Sequence, residues 1–309
     1  MRSMFLEPQL RPVVRNRRFE IAGRALVGGC GLLAVMGGIT KLHLPAWGQM
    51  WIVAFSLFGI FKWLSWTRHS DRTTVASRRT ALVYFFGWVG LDADEFLRER
   101  WDFVRPARRE WCAALGKTLL GAAIIWLFVR RLPDQFPMAI GMTGLVGLGL
   151  FLHFGLFHLL ALAWRERGVA VSPIMDAPLR STSLAEFWGR RWNRAYRQVS
   201  FDCIFRPCVE RLGATAGVVA AFLISGLIHD LVISVPARGG YGGPTTYFLL
   251  HGVGLLGERT APARRFLRGS RVRGWCYTAL FVIGPIGLLF HQPFLANVVI
   301  SFLKAIGAR

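Results

Sequence analysis

The sequence predicts an all-α, polytopic integral membrane protein with about eight transmembrane helices plus interfacial helices. Three observations predict it. Runs of roughly twenty apolar residues with almost no charge recur along the chain, each long enough to cross a ~30 Å hydrocarbon core. The composition agrees, with 53% of the 309 residues hydrophobic and a mean hydropathy of +0.41. Basic residues also alternate between connections. Segments 1–20, 62–110, 164–212, 258–273 and the last few residues hold about 32 of the 38 lysines and arginines. The intervening connections hold about four, as the positive-inside rule requires if both termini are cytoplasmic.

A polar, basic tail over residues 1–20 precedes the first run and carries no small-residue cleavage site, so no cleavable signal is expected. The first run covers residues 21–40, with Arg24 able to snorkel to the interface. The second covers 46–64, flanked by Trp47 and Trp51 at one end and Trp63 and Trp66 at the other, the pattern of an aromatic belt. Residues 81–91 are apolar but too short to span, and are expected to form an interfacial or re-entrant helix. Asp92, Asp94 and Glu95 follow, with local pairing to Arg98 and Arg100 expected rather than a metal. The third run is 111–129, containing Lys117. The fourth is 138–163, containing His153 and His158, which are five apart and face differently.

A basic segment, 164–212, leads into the fifth run, GATAGVVAAFLISGLIHDLVISVP, which Pro236 is expected to stop. A glycine-rich turn follows. The sixth run (245–257) is short and carries His251, the seventh covers 275–290 and the eighth 294–306. No internal repeat or low-complexity linker divides the chain, so residues 1–309 read as a single membrane domain, its core in 21–309.

Two polar positions inside this apolar frame invite a functional reading. His229 lies deep in the fifth run, where an ionisable side chain costs several kcal/mol unless something satisfies it. Gly213, Gly217, Ala221, Ser225 and His229 recur every fourth residue, a small-residue stripe on one helix face. Such a stripe serves either as a packing seam or as space for a ligand. Upstream, Ser183 and Glu186 fit a capping box, so a helix should begin near Leu184. On that helix Trp188 and Trp192 would share one face, and Arg190, Asn193, Arg194 and Arg197 another. An ordinary interfacial helix answering anionic lipid would look the same.

FWGRRWN (187–193), followed by SGLIHDL (225–231), resembles the membrane-bound O-acyltransferases, in particular their wax-synthase-like branch. FGWVGLD (86–92), HFGLF (153–157) and FHQPFLANVV (290–299) resemble further segments of that branch, so the resemblance covers roughly residues 50–305. It implies transfer of an acyl group from acyl-CoA to a hydroxyl, with His229 as the catalytic residue and Asn193 as its active-site partner. For the wax-synthase-like branch it implies a long-chain alcohol acceptor. Asp230 stands where the family commonly has Glu.

The residues suit that chemistry. A neutral imidazole can take the proton of an attacking alcohol near pH 7, a dry cavity limits thioester hydrolysis, and the Asn193 amide can donate to a carbonyl oxygen. The arginines would draw the phosphates of acyl-CoA. Trp188, Arg190, Trp192, Arg194, Arg197 and Ser225 are the expected substrate-binding residues. Asp230 should point about 100° away from His229 on the helix. No nucleophile elbow or Ser-His-Asp set is evident, so direct attack by the acceptor is expected. No metal or cofactor is expected beyond acyl-CoA as co-substrate. The partners are the alcohol and membrane lipids, with a homo-oligomer open.

Other classes remain alternatives. One is an O-acyltransferase for a polar or glycan acceptor. Another is a lipid or small-solute transporter, which the lack of a repeat disfavours. The net charge of +21 fits lipid-facing loops and a phosphate-bearing substrate better than nucleic acid. Five dispersed cysteines argue against a disulfide framework or a metal pair. The arginine excess points to a bacterial inner membrane.

Overall fold

The computed structural model describes residues 23, 27–32, 34–35, 37–38, 43–70, 78–97 and 104–309. The basic tail, most of the first run, and Arg98 and Arg100 lie outside them. Five helices are long and apolar enough to cross a membrane: Ala46–Ser70, Arg108–Arg131, Pro137–Glu166, Arg194–Ala237 and Arg271–Leu289. Their outward faces stay apolar and uncovered, as at Leu119, Leu127 and Phe128, which is the surface a bilayer solvates. The chain is an integral membrane protein, and among the described residues five helices have the length and hydropathy of a span.

Three differences from the sequence reading shape the site. First, the 44-residue segment 194–237 is two helices. Gly213 adopts φ 87, ψ 169, a conformation essentially restricted to glycine, and the chain reverses there. Helix 194–212 folds back along helix 214–237. A Cβ at Gly217 would meet the Phe205 carbonyl oxygen at 3.2 Å, and the buried Tyr196 hydroxyl faces the Ser225 side chain. The small-residue stripe is therefore the seam of a helical hairpin.

Second, the FWGRRWN helix is shorter than its sequence suggests. It covers Leu184–Glu186 and a wide-turned Phe187–Arg191. Trp192 is extended (φ −92, ψ 131) and Asn193 is left-handed (φ 40). The two predicted faces therefore do not exist. Only half of the predicted capping box forms: Ser183 Oγ accepts from Glu186 N at 3.0 Å, while Glu186 Oε2 turns to Thr182 N at 2.9 Å. The rest of the helix start is held by Glu258, whose carboxylate accepts from Leu184 N and, at 3.1 Å, from Ala185 N.

Third, the eighth run does not cross. Helix 292–305 starts where His291 meets Ser234 at 3.1 Å, and Asn297 Nδ2 donates to Ala237 O at 2.9 Å. It ends with Phe302 against Trp47, and with Arg309 on the carbonyls of Val129 and Leu132 at 3.0 Å each and on Asp134. All these partners lie at the end of the bundle away from the basic loops. Residues 306–309 thus pack at that end of the bundle. The sixth run is a 15-residue helix, Gly243–Gly257. It runs between the two faces, with its first turn tied to Asp230 and its end leading to Glu258.

The remaining elements clamp the basic end. Helix Arg78–Gly87 lies beside helix 46–70, where Trp66 stacks on Tyr84 at 5.8 Å. Asp94 pairs with His69 at 2.6 Å, and Arg68 with Asp202 at 3.1 Å. Glu95 Oε1 accepts from Ser172 N at 3.1 Å. The acidic cluster therefore finds partners distant in sequence as well as any nearby.

Candidate active site

Two helices that run toward the basic end set the level of the site. Helices 46–70 and 194–212 run side by side in the same direction, with Phe61 against Tyr196 (5.4 Å) and Arg68 against Asp202. On the other side, Phe205 faces Gly217 and Tyr196 faces Ser225. Both helices rise about 1.5 Å per residue, so the same register carries Asn193 level with residues 228–229. Asn193 therefore lies at the level of His229, not at the basic interface where the sequence placed it.

The backbone at Asn193 is held by the extended segment before it. Arg194 N donates to Ile174 O at 3.0 Å, Asp176 N to Arg191 O at 2.9 Å, and Asn193 N to Met175 Sδ at 3.4 Å. Asparagine tolerates the left-handed conformation better than most residues. Its Oδ1 accepts from Tyr196 N at 3.3 Å, capping helix 194–212. Occupation of Oδ1 leaves Nδ2 as the outward donor, and it has no partner among the described residues.

His229 is fixed from its own helix. Nδ1 lies 2.7 Å from Ser225 O, one turn earlier. A carbonyl only accepts, so Nδ1 carries the proton and Nε2 presents its lone pair. Among the described residues Nε2 has no hydrogen-bond partner, and the ring is half-buried. The imidazole lies 4.3 Å from the Phe248 ring. Asp230 takes no part in this: its carboxylate accepts from Gly242 N (2.9 Å), Thr245 N (3.0 Å) and Ser234 Oγ (2.8 Å), anchoring helix 243–257. Ser234 also meets His291, which makes an Asp-Ser-His string. His291 Nδ1 accepts from Phe294 N at 3.2 Å, so its Nε2 donates to the serine and cannot serve it as a base.

Aromatic rings wall the His229 side. Trp188 lies 5.5 Å from Phe248 and 5.7 Å from Phe222, and its Nε1 reaches His251 at 3.0 Å. Trp188, Phe248 and His229 thus form one cluster from three segments. Trp192 does not join it; it stacks on Phe187 at 5.4 Å and faces Phe154. Ser225 contributes its carbonyl to His229, and its side chain is buried.

The arginines gather at the break around Trp192. Arg197 Nη1 donates to Gly189 O at 2.8 Å, which draws it to the neighbour of Arg190. Both side chains are exposed and Arg194 is half-buried. Arg191, not among the predicted site residues, is consumed structurally by Glu186 (2.7 Å) and Asp176 O (3.1 Å). Sequence reasoning also missed Phe248, His251 and Glu258. Only His251 carried a signal, as a polar residue in an apolar run, and it pointed to no partner. Burial pushes the Glu258 carboxyl up, opposed by its bonds to Leu184 and Ala185.

The described residues thus combine a helical membrane protein with a histidine oriented by its own helix, a capping asparagine and a group of arginines around Trp192. Residues 171–250 match the model of the membrane bound O-acyl transferase family, a segment that contains Trp188, Asn193, His229 and Phe248 but not His251 or Glu258. The chain is 32% identical over 142 residues to the probable long-chain-alcohol O-fatty-acyltransferase 7 of Arabidopsis thaliana, covering 42% of each chain. It is 34% identical over 141 residues to number 2 of the same set, covering 42% of this chain and 41% of that one. To the long-chain-alcohol O-fatty-acyltransferase of Simmondsia chinensis it is 30% identical over 95 residues, covering 28% and 27%. Over this central segment the chain is similar to the membrane bound O-acyl transferase family, and the relatives it matches are named as long-chain-alcohol O-fatty-acyltransferases. The alignments span about two fifths of the length of the first two relatives, and less of the Simmondsia enzyme.

Proposed function

We propose that this protein transfers a long-chain acyl group from acyl-CoA to the hydroxyl of a lipid alcohol, making a wax ester or related neutral-lipid ester. The observation that carries this reading is the orientation of His229: Nδ1 is anchored on Ser225 O and the Nε2 lone pair is unengaged among the described residues. Nε2 takes the hydroxyl proton as the alcohol oxygen attacks the thioester carbonyl. The Asn193 Nδ2 amide donates to the oxyanion that forms. Collapse breaks the carbon–sulfur bond, and the CoA thiolate leaves with the proton from the imidazolium. Proton and charge balance, and His229 returns to its starting state.

The surroundings support this division of labour. Trp188, Phe222 and Phe248 keep water from the thioester. Arg190 and Arg197 offer charge to the CoA phosphates, with Arg194 on the same turn. Trp192 and Ser225, also expected to bind substrate, act instead through packing and through the backbone carbonyl. The names of the Arabidopsis and Simmondsia relatives favour a long-chain alcohol. The basic loops favour a cell membrane with that face toward the cytoplasm, which would present the arginine rim to soluble acyl-CoA.

The test uses purified protein in nanodiscs with labelled palmitoyl-CoA and a panel of hexadecanol, diacylglycerol and a sterol. Ester from the wild type, lost in a folded His229→Ala variant, supports the reading, and the panel identifies the acceptor. No ester from any lipid alcohol shifts weight to a polar or glycan acceptor. Equal activity in the variant overturns the role of His229.

A further inference from the structure

His251 is completely buried, and the transfer chemistry above gives it no part. It is 22 residues beyond His229 and on another helix, yet both of its ring nitrogens are engaged. Nε2 lies 2.7 Å from Phe281 O on helix 271–289. Nδ1 lies 3.0 Å from Trp188 Nε1. The two partners dictate the proton's position. A carbonyl can only accept and an indole N–H can only donate. The ring must therefore carry its proton on Nε2 and accept at Nδ1, and a charged imidazolium would lose the bond to Trp188. The Tyr247 ring at 4.3 Å and the Phe281 ring at 6.5 Å complete its surroundings.

The Trp188 indole is the only polar group of the aromatic wall, and the rest of that wall has no directional bond. Trp188 follows the Glu258-capped helix start by one turn. It lies against Phe248, which lies against His229. Rotation of the indole would release Phe248 and let the His229 ring lose its stacking partner. The Nδ1 bond to Ser225 O alone leaves the His229 ring free to tilt about one hydrogen bond.

We propose that His251 is a positioning residue for acyl transfer: as a neutral acceptor it locks the Trp188 indole, and through Trp188 and Phe248 it sets the angle at which His229 presents Nε2. The inference rests on the transfer reading above. It assigns His251 to the chemical step and not to the binding of acyl-CoA, because no arginine of the rim contacts it.

The test compares His251→Leu, His251→Gln, Trp188→Phe and the His251→Leu/Trp188→Phe pair with the wild type in nanodiscs. Leucine fills the space and bonds to neither partner. Glutamine can accept from the indole through Oε1 and donate to Phe281 O through Nε2. The expected result for His251→Leu is a kcat lower by about ten- to a hundredfold with the KM for palmitoyl-CoA within about twofold of wild type. His251→Gln should recover most of the rate, and the double variant should be no slower than either single one. Indole N–H spectra of protein labelled at its twelve tryptophans give a readout independent of activity. The resonance that Trp188→Phe removes should move in His251→Leu and stay near its place in His251→Gln.

Four outcomes overturn the proposal: an active His251→Leu, losses that simply add in the double variant, a raised KM at unchanged kcat, or an indole resonance that does not move. If His251→Leu fails to fold, Trp188→Phe and His251→Gln carry the same kinetic comparison. A wild type inert toward every alcohol overturns the transfer reading and the kinetic role together, and the indole resonance then decides the hydrogen bond alone.

Discussion

His229 donates its Nδ1 proton to the carbonyl of Ser225, one helical turn earlier, at 2.7 Å. That bond selects the tautomer with the lone pair on Nε2. The proposed base therefore has no carboxylate behind it, and the adjacent Asp230 is spent on Ser234, Gly242 and Thr245. Two consecutive polar residues thus have separate partners, one within its own helix and one at the start of the next.

Substituting His229 by glutamine should leave the fold intact and remove the base. The expected loss in kcat is about a hundredfold to ten-thousandfold. Thermal unfolding in detergent should shift little. An unfolded variant would identify the histidine as structural.

Asn193 has a structural and a chemical half that two substitutions separate. Asn193→Asp keeps a capping oxygen for Tyr196 N but removes the amide donor, so stability should hold while kcat falls. Asn193→Ala loses both and adds a loss of about 1 kcal/mol in stability. Ester-forming rates measured beside unfolding curves check both, and an active Asn193→Asp would remove the amide from the mechanism.

Neutralising Arg190, which is exposed and has no partner among the described residues, should raise the KM for acyl-CoA roughly threefold to tenfold without changing protein yield. The effect should shrink as salt rises, because screening weakens exposed charge pairs. Arg197→Gln should cost more, since it also releases Gly189 O. Acyl-CoA titrations at two ionic strengths measure both.

Glu258 supplies a pH dependence with a definite sign. Burial raises its carboxyl above the ordinary value near 4.3. A raised acid favours folding while protonated. Its contribution is therefore full below the ordinary carboxylate value and is lost as pH rises through the raised one. The stability advantage of wild type over Glu258→Gln should be larger at pH 4 than at pH 7. Melting temperatures across that range check it, and a difference that grows with pH would contradict the assignment.

Gly213 is where the hairpin turns. Gly213→Ala should cost about 1–3 kcal/mol, because its φ of 87 with ψ of 169 excludes a Cβ. If the turn sets the depth of Asn193, the same variant should lose more activity than Ala214→Gly.

The sequence by itself determined the helical, membrane-embedded character of the chain. Charge-free runs cannot be solvated by water, and the backbone of a spanning segment must bond to itself. It also singled out His229, because a polar group in such a run is costly to keep, and Asn193, through the resemblance of FWGRRWN to a known family. Periodicity did not reveal that FWGRRWN breaks at Trp192 or that Asn193 adopts a left-handed turn. A helical repeat continues on paper through a break that is made by bonds to Ile174, Met175 and Asp176. It did not reveal that helix 292–305 returns to the face it left, since length and hydropathy are the same for a span and for a helix lying along one face. Only the tertiary structure decided the depth of Asn193, through the reversal at Gly213, and the partners of His251, Glu258 and Asp230. All of these but the Asp230–Ser234 bond join residues 12 to 74 apart in the chain, and local propensity carries no information about such pairs.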